Sequence, residues 1–188
     1  MSAYLTYFRE LISQIIETDD TVIGSQYVIV EVDETKFGRR KYNRGHRVDG
    51  AWVIVGVERT DARLVFAEVV SDRSAETIHD VLSRHIAAGS IIHTNLWRRY
   101  ASISERFSIV HHTVNHSLFF KDPDTGTHTN TVEGTNYALK RSVPPRSRTS
   151  SSLPLYLMEF VWRRKYSNNL WNGFIDALRA VGYDDIGE

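Results

Sequence analysis

At 188 residues, 41% hydrophobic and 24% charged, the chain is long enough for one domain with a real core and has an ordinary globular balance. It contains no cysteine, which excludes disulfides and thiolate zinc sites and fits a reducing compartment, so an intracellular protein is expected. Net charge is zero and no apolar run approaches the ~18 residues of a membrane span, so a polycation and a membrane-spanning helix are excluded and any nucleic-acid affinity must come from local patches.

The amino terminus, Met-Ser-Ala-Tyr-Leu, lacks a basic region followed by an apolar stretch, so no secretory signal is expected. Residues 3–17 carry Leu5, Phe8, Leu11, Ile12, Ile15 and Ile16 at helical spacing and predict an amphipathic helix. Residues 27–33 read as a buried strand ending in Asp33, with Glu34 following on the opposite face. Then comes a basic segment, Lys36, Arg39, Arg40, Lys41, Arg44 and Arg47, with no acid among them and with Gly38 and Gly45 as punctuation. Such a segment is suited to phosphate contacts, and binding through it would weaken steeply with salt.

Residues 51–58 and 63–70 predict two further strands, and the short turn Thr60-Asp61-Ala62 makes them an antiparallel hairpin. Ser74 or Asp72 can cap a helix whose face is Ile78, Val81, Leu82 and Ile86, with Gly89 expected to end it. Strand 90–94, a short helix near 96–104 and strand 107–114 follow. His111, His112 and His116 form no regular zinc spacing, and His116 is placed near the candidate site. Helices are predicted near 130–142, 152–165 and 168–180, with a turn-rich loop from Lys121 to Gly126 and a polar stretch from Ser147 to Ser152. Two more basic groups are Lys140, Arg141, Arg146 and Arg148, and Arg163, Arg164 and Lys165. Trp52, Trp97, Trp162 and Trp171 are read as packing residues. The organisation is an amino-terminal helix (1–20), a main domain (21–183) and an acidic tail (184–188).

Three strands, helix, strand, helix, strand and then helices is the order of a ribonuclease-H-like α/β fold: an antiparallel three-strand meander extended by parallel strands, with helices on its faces. In that layout Asp33 and Asn95 end neighbouring strands, and a helix behind the sheet brings up Glu133. Two acids and an amide at strand and helix ends look like a two-metal phosphoryl-transfer site with one ligand altered. Two Mg²⁺ ions about 3.5–4 Å apart can activate an attacking hydroxyl and stabilise a leaving oxygen, and Mg²⁺ takes carboxylate, phosphate and water oxygens. Lys140 lies seven residues after Glu133, on the same helical face.

Many ordered motifs carry a family resemblance. Val32-Asp33-Glu34-Thr35-Lys36-Phe37-Gly38-Arg39-Arg40-Lys41-Tyr42-Asn43-Arg44-Gly45-His46-Arg47-Val48 opens it, followed by Trp52-Val53, Asp72-Arg73-Ser74-Ala75-Glu76-Thr77 and Gly89-Ser90-Ile91-Ile92. Trp97, Tyr100, Val114-Asn115-His116-Ser117, Phe120-Lys121-Asp122-Pro123, His128-Thr129-Asn130-Thr131-Val132-Glu133-Gly134, Leu139-Lys140-Arg141 and Glu159-Phe160-Val161-Trp162-Arg163 continue it. Over roughly residues 27–180 the chain resembles the ISXO2-like DDE transposase domain, especially its eukaryotic Merlin branch and the related bacterial insertion sequences.

The resemblance implies a DDE transposase that cuts element ends and joins them to target DNA, using Mg²⁺ or Mn²⁺ and assembling as a homo-oligomer on DNA, in the nucleus of a eukaryotic host. It makes Asp33 the first acid, Glu133 the third and Lys140 the trailing lysine, with Asn130 as the alternative third ligand or the cap of its helix. Lys36, Arg39, Arg40, Lys41, Arg44, Arg47 and Arg141 are the implied DNA contacts. The departure is at the second acid. The family strand ends Ser-Asp with a tryptophan two residues on, whereas this one reads Thr94-Asn95-Leu96-Trp97. The DNA-binding region that usually precedes the domain is expected to be missing or reduced to one helix. Three readings follow: an active recombinase, a catalytically impaired transposase-derived domain that binds DNA or protein, and a different RNase-H-like nuclease.

Overall fold

The computed structural model describes residues 3–16, 18–38, 50–107 and 109–180. Arg39, Arg40, Lys41, Arg44 and Arg47 of the basic segment, and the acidic tail, lie outside the described residues. The described elements are α1 (Ala3–Ile15), β1 (Ile29–Lys36), β2 (Trp52–Glu58), β3 (Val65–Val70), α2 (Ala75–His85), β4 (Ile91–Asn95), α3 (Ile103–Phe107), β5 (Val110–Val114), α4 (Asn130–Ser142), α5 (Leu153–Lys165) and α6 (Leu170–Ala180). No helix among the described residues is long and apolar enough to cross a membrane.

The five strands form one sheet in the order β3-β2-β1-β4-β5. β1–β2 and β2–β3 pair antiparallel, while β1–β4 and β4–β5 pair parallel, which is the ribonuclease-H-like arrangement. Strand alternation sorts the side chains into two cores. Glu31, Asp33 and Thr35 lie opposite Val57, Val55 and Val53, and those valines pack with Val132 and Leu139 of α4 and Leu153 and Leu157 of α5. Val30, Val32 and Ile54 face the other way, towards Ile78, Val81 and Leu82 of α2 and towards Tyr100 and Ile103. A slip of one residue in β1 would therefore exchange its acids between the two faces. Gly56 serves this second core, because a Cβ there would stand 2.1 Å from the Phe66 ring.

Local signals outside α4 act as their chemistry dictates, with two exceptions. Ser74 caps α2, its hydroxyl accepting the Thr77 N–H at 3.1 Å, and Asp72 braces the cap by accepting from Ser74 N–H and the Thr77 hydroxyl. Gly89 does not end the helix. Ile23 forms a parallel bridge with Ile86, drawing residues 86–87 into extended backbone, so α2 stops at His85. Gly89, at φ +82°, instead shapes the turn into β4. The second exception is Trp171, which is 67% exposed, whereas Trp162 is buried. α1 lies on α5 and α6, with Phe8 edge-on to Trp162 and Arg9 paired to Glu159 at 2.6 Å.

Candidate active site

Two acids on one face of β1 meet α4. Glu31 is fully buried, and its Oε2 accepts the N–H groups of Thr131 at 2.8 Å and Val132 at 2.9 Å. These are orphan donors of the first helical turn, and Thr129 at the N-cap supplies no side-chain bond of its own. A carboxylate from the neighbouring strand therefore does the capping, aided by the positive end of the helix dipole. Arg59 neutralises Glu31 through Nε at 2.5 Å and donates from Nη2 to the His128 carbonyl at 2.7 Å. Asn130 is not the cap; it is the first residue of α4, and its side-chain oxygen is buried with no hydrogen-bond partner.

Two residues further along β1, Asp33 Oδ2 accepts from Asn136 Nδ2 at 2.9 Å. The step from Glu31 to Asp33 is ~6.6 Å along a strand, and four helical residues rise ~6 Å, so α4 runs alongside β1 with two matched ties. Glu133, Asn136 and Lys140 then fall on one helical face at spacings of three and four. Asp33 lies within electrostatic reach of both charged members. Burial, the largest cause, and the Glu133 charge raise its pKa, against the pull of the Glu34 N–H, Lys140 and Asn136. The Lys140 pKa is lowered, chiefly by burial, with Asp33 opposing. Arg148, from the second basic group, donates to the carbonyls of Lys140 and Val143 and so closes the carboxyl end of α4. Arg141 is exposed, stacked 5.7 Å over Tyr137.

Asn95 is the last residue of β4. The parallel ladder between β1 and β4 runs from Ile29 with Ile91 to Glu31 with His93 and stops two residues short of Asn95. Its side-chain oxygen accepts the Trp97 N–H at 3.0 Å, an Asx turn that leads into the short 3₁₀ turn of residues 98–100. Asn95 lines a cleft of about 380 Å³ together with Glu34, Arg73, Leu96, Trp97, Asn115, His116 and Ser117. His116 joins this cleft to α4. Its Nε2 lies 2.6 Å from the Thr129 hydroxyl, which donates to Glu133 Oε1 at 3.1 Å. That hydroxyl has one proton, directed at Glu133, so His116 Nε2–H is the donor to Thr129. His111 is engaged elsewhere, with Thr94 at 2.9 Å.

Among the described residues no group of three or more His, Asp or Glu side chains could hold a metal ion. The available donors are the carboxylates of Asp33 and Glu133 and the amide oxygen of Asn95. All are hard oxygens suited to Mg²⁺ or Mn²⁺. Burial, with the Glu133 charge adding to it, raises the Asp33 pKa, and Asn136 Oδ1 is buried without a partner beside Asp33. This donor set fits one divalent ion better than two.

Glu34 occupies the opposite face of β1, where the buried Tyr100 hydroxyl donates to it. Burial raises the Glu34 pKa to about 7; Tyr100 pulls it down, Asp33 pushes it up and Arg73 pulls it down again. The folded state thus keeps a proton that the unfolded chain loses near 4.5. The resulting stability is complete below the unfolded value and is lost as pH rises through the folded one. Glu34→Gln, a neutral mimic of the protonated acid, is expected to remove a stability decline on the order of 2 kcal/mol between pH 5 and 8. Urea midpoints at the two pH values measure it, and parallel pH slopes for the variant and the parent protein would contradict it.

His116 was expected near the site, but its link through Thr129, and the parts played by Glu31 and Arg73, were not legible in the sequence. The available signal for Glu31 was the alternation Glu31-Val32-Asp33, which puts two acids on one face of an apolar strand. No curated protein matches the chain. Among solved structures, the catalytic core domain of BIV integrase in crystal form I is similar at 16% identity, with 70% of this chain and 81% of that chain covered and a TM-score of 0.45. The sequence model of the ISXO2-like transposase domain matches residues 12–165, a span that holds every strand of the sheet and all of α4 and α5. By that match the chain belongs to the ISXO2-like transposase domain family.

Proposed function

We propose that this protein is a transposase-derived DDE domain for cleavage and strand transfer at transposon ends, with activity impaired by Asn95. The observation that carries this reading is the tie of Asp33 to Asn136 of α4 at 2.9 Å, with Glu133 and Lys140 on the same face of that helix. In this scheme Asp33 and Glu133 hold a divalent ion, with the Asn95 amide as a weak third donor. Mg²⁺ or Mn²⁺, when bound, would activate the attacking hydroxyl and stabilise the leaving oxygen. Lys140 holds the scissile phosphate by charge. His116, through Thr129, orients the Glu133 carboxylate. Lys36, Arg39, Arg40, Lys41, Arg44, Arg47 and Arg141 bind the DNA backbone, and copies of the chain assemble on DNA. The Merlin branch is the finer placement we favour, on the ordered motifs of residues 32–48 and 128–134. The chain then acts on DNA inside the cell, in the nucleus of a eukaryotic host.

The test is Mg²⁺- or Mn²⁺-dependent cleavage and strand transfer with matched element-end DNA. Slow, divalent-dependent nicking is expected, and Asp33→Asn should abolish it. The neutral amide of Asn95, standing where the family strand has an acid, favours a second reading, a DNA- or protein-binding domain without catalysis. DNA binding with no cleavage in either ion would select it. Cleavage of RNA or hybrids in place of DNA would select another RNase-H-like nuclease.

A further inference from the structure

The cleft beside the candidate carboxylates holds a cation that the scheme above leaves unused. Arg73 lies between β3 and α2, half-buried, with its guanidinium carbon 3.5 Å from the centre of the Trp52 ring and 5.0 Å from that of Trp97. Lys36 Nζ also lies over the Trp52 ring, at 5.3 Å. A row of cations and indoles thus leads from the root of the basic segment into the cleft of Arg73, Asn95, Trp97 and His116. Two other arginines are already engaged, Arg59 by Glu31 and Arg84 by Glu68 and Asp80. Among the described residues, Arg73 makes no salt bridge and donates no hydrogen bond, although its charge is felt by Glu34 of the same cleft.

An arginine stacked on indoles loses little freedom when it binds, and its planar fork of N–H donors matches the two oxygens of a phosphate. The cleft wall favours that ligand. Asn95, Asn115 and Ser117 are neutral hydrogen-bonding groups, and an amide stands where the family strand has an acid. The remaining carboxylate, Glu34, is turned to Tyr100. Leu96 and Trp97 add an apolar rim suited to a sugar edge. Continuity with Lys36 selects a polyanion over a single small ion.

We propose that Arg73, held by Trp52 and Trp97, is a phosphodiester clamp that seats one backbone phosphate of a nucleic acid in this cleft without any divalent ion. The proposal rests on the nucleic-acid reading above, but not on catalysis.

The experiment uses the full chain in EDTA and a labelled ~20-base-pair duplex of unrelated sequence, with affinity followed across salt by anisotropy. Arg73→Gln is expected to bind roughly tenfold more weakly, with the slope of log affinity against log salt shallower by about 0.9. Arg84→Gln, which removes an already paired arginine in α2, should change neither quantity. Arg73→Lys keeps the charge but not the fork, so the slope should stay while affinity falls several-fold. The proposal is overturned if Arg73→Gln, with its melting temperature retained, binds with unaltered affinity and slope. Where Arg73→Gln does not fold, Arg73→Lys decides, and parental affinity overturns the clamp. Absence of duplex binding in EDTA, or equal competition by a polyglutamate of matched charge, also overturns it. Loss of binding in Arg73→Gln from a parent that never cleaves supports the clamp while removing the catalytic reading, so the two fail separately.

Discussion

Asn95→Asp is expected to tighten divalent-ion binding and to raise any DNA cleavage by orders of magnitude, on the scale of ~3–4 kcal/mol for a principal electrostatic group in a transition state. Asn and Asp are nearly the same size, so packing at the end of β4 barely changes. A carboxylate accepts the Trp97 N–H as an amide oxygen does, so the Asx turn survives. The difference is charge. Two divalent ions bring four positive charges, and Asp33 with Glu133 offset two before DNA arrives. A third carboxylate at the end of β4 supplies one of the two missing charges, leaving one for the DNA phosphate. It also adds a like charge near an acid whose pKa burial and Glu133 already raise, so the metal-free variant should be slightly less stable than the parent. Mn²⁺ titration, single-turnover nicking and a thermal melt together test this. Equal turnover from the parent and Asn95→Asp would show that position 95 is no ligand and that the second acid is misplaced.

Glu31→Ala carries the largest expected stability cost, ~3–5 kcal/mol. The carboxylate is fully buried and serves three donors at once: Arg59 and the N–H groups of Thr131 and Val132. Its removal leaves the Arg59 cation, whose side chain is only 20% exposed, facing a cavity, and leaves two helix-end donors without an acceptor. Glu31→Gln should fall between, because an amide oxygen still accepts a backbone N–H but no longer balances Arg59; ~1–3 kcal/mol is the expected scale. Amide exchange should quicken first at Thr131 and Val132, where the tie is made. A double-mutant cycle with Arg59→Ala isolates the ion-pair part. A loss below ~1 kcal/mol in Glu31→Ala would mean that α4 is docked by its apolar face alone. The site is sensitive to this tie because Glu133 and Asn136 sit within one turn of it.

The partition between sequence and tertiary structure follows from what is local. Runs rich in β-branched residues in 28–33, 52–57 and 65–70, and helical spacing in 78–82 and 153–162, define the elements whatever surrounds them, and the order of those elements determines the meander and its parallel extension. Ser74 as a cap and Lys140 on the face of Glu133 are likewise short-range facts, decided within one to two helical turns. Other features depend on groups that meet only after the chain is packed. The end of α2 shifted from Gly89 to His85 because Ile23, more than sixty positions earlier, competes for the backbone of residues 86–87. Asn130 lost the capping role because Glu31, a hundred residues away, reaches the same donors. His116 acquires a role only through Thr129 on the far side of a loop, and Arg73 only through two indoles brought in by β2 and the turn after β4. Periodicity states which face a side chain takes; only the packed sheet states what stands opposite it, and for buried charges the opposite group decides the chemistry.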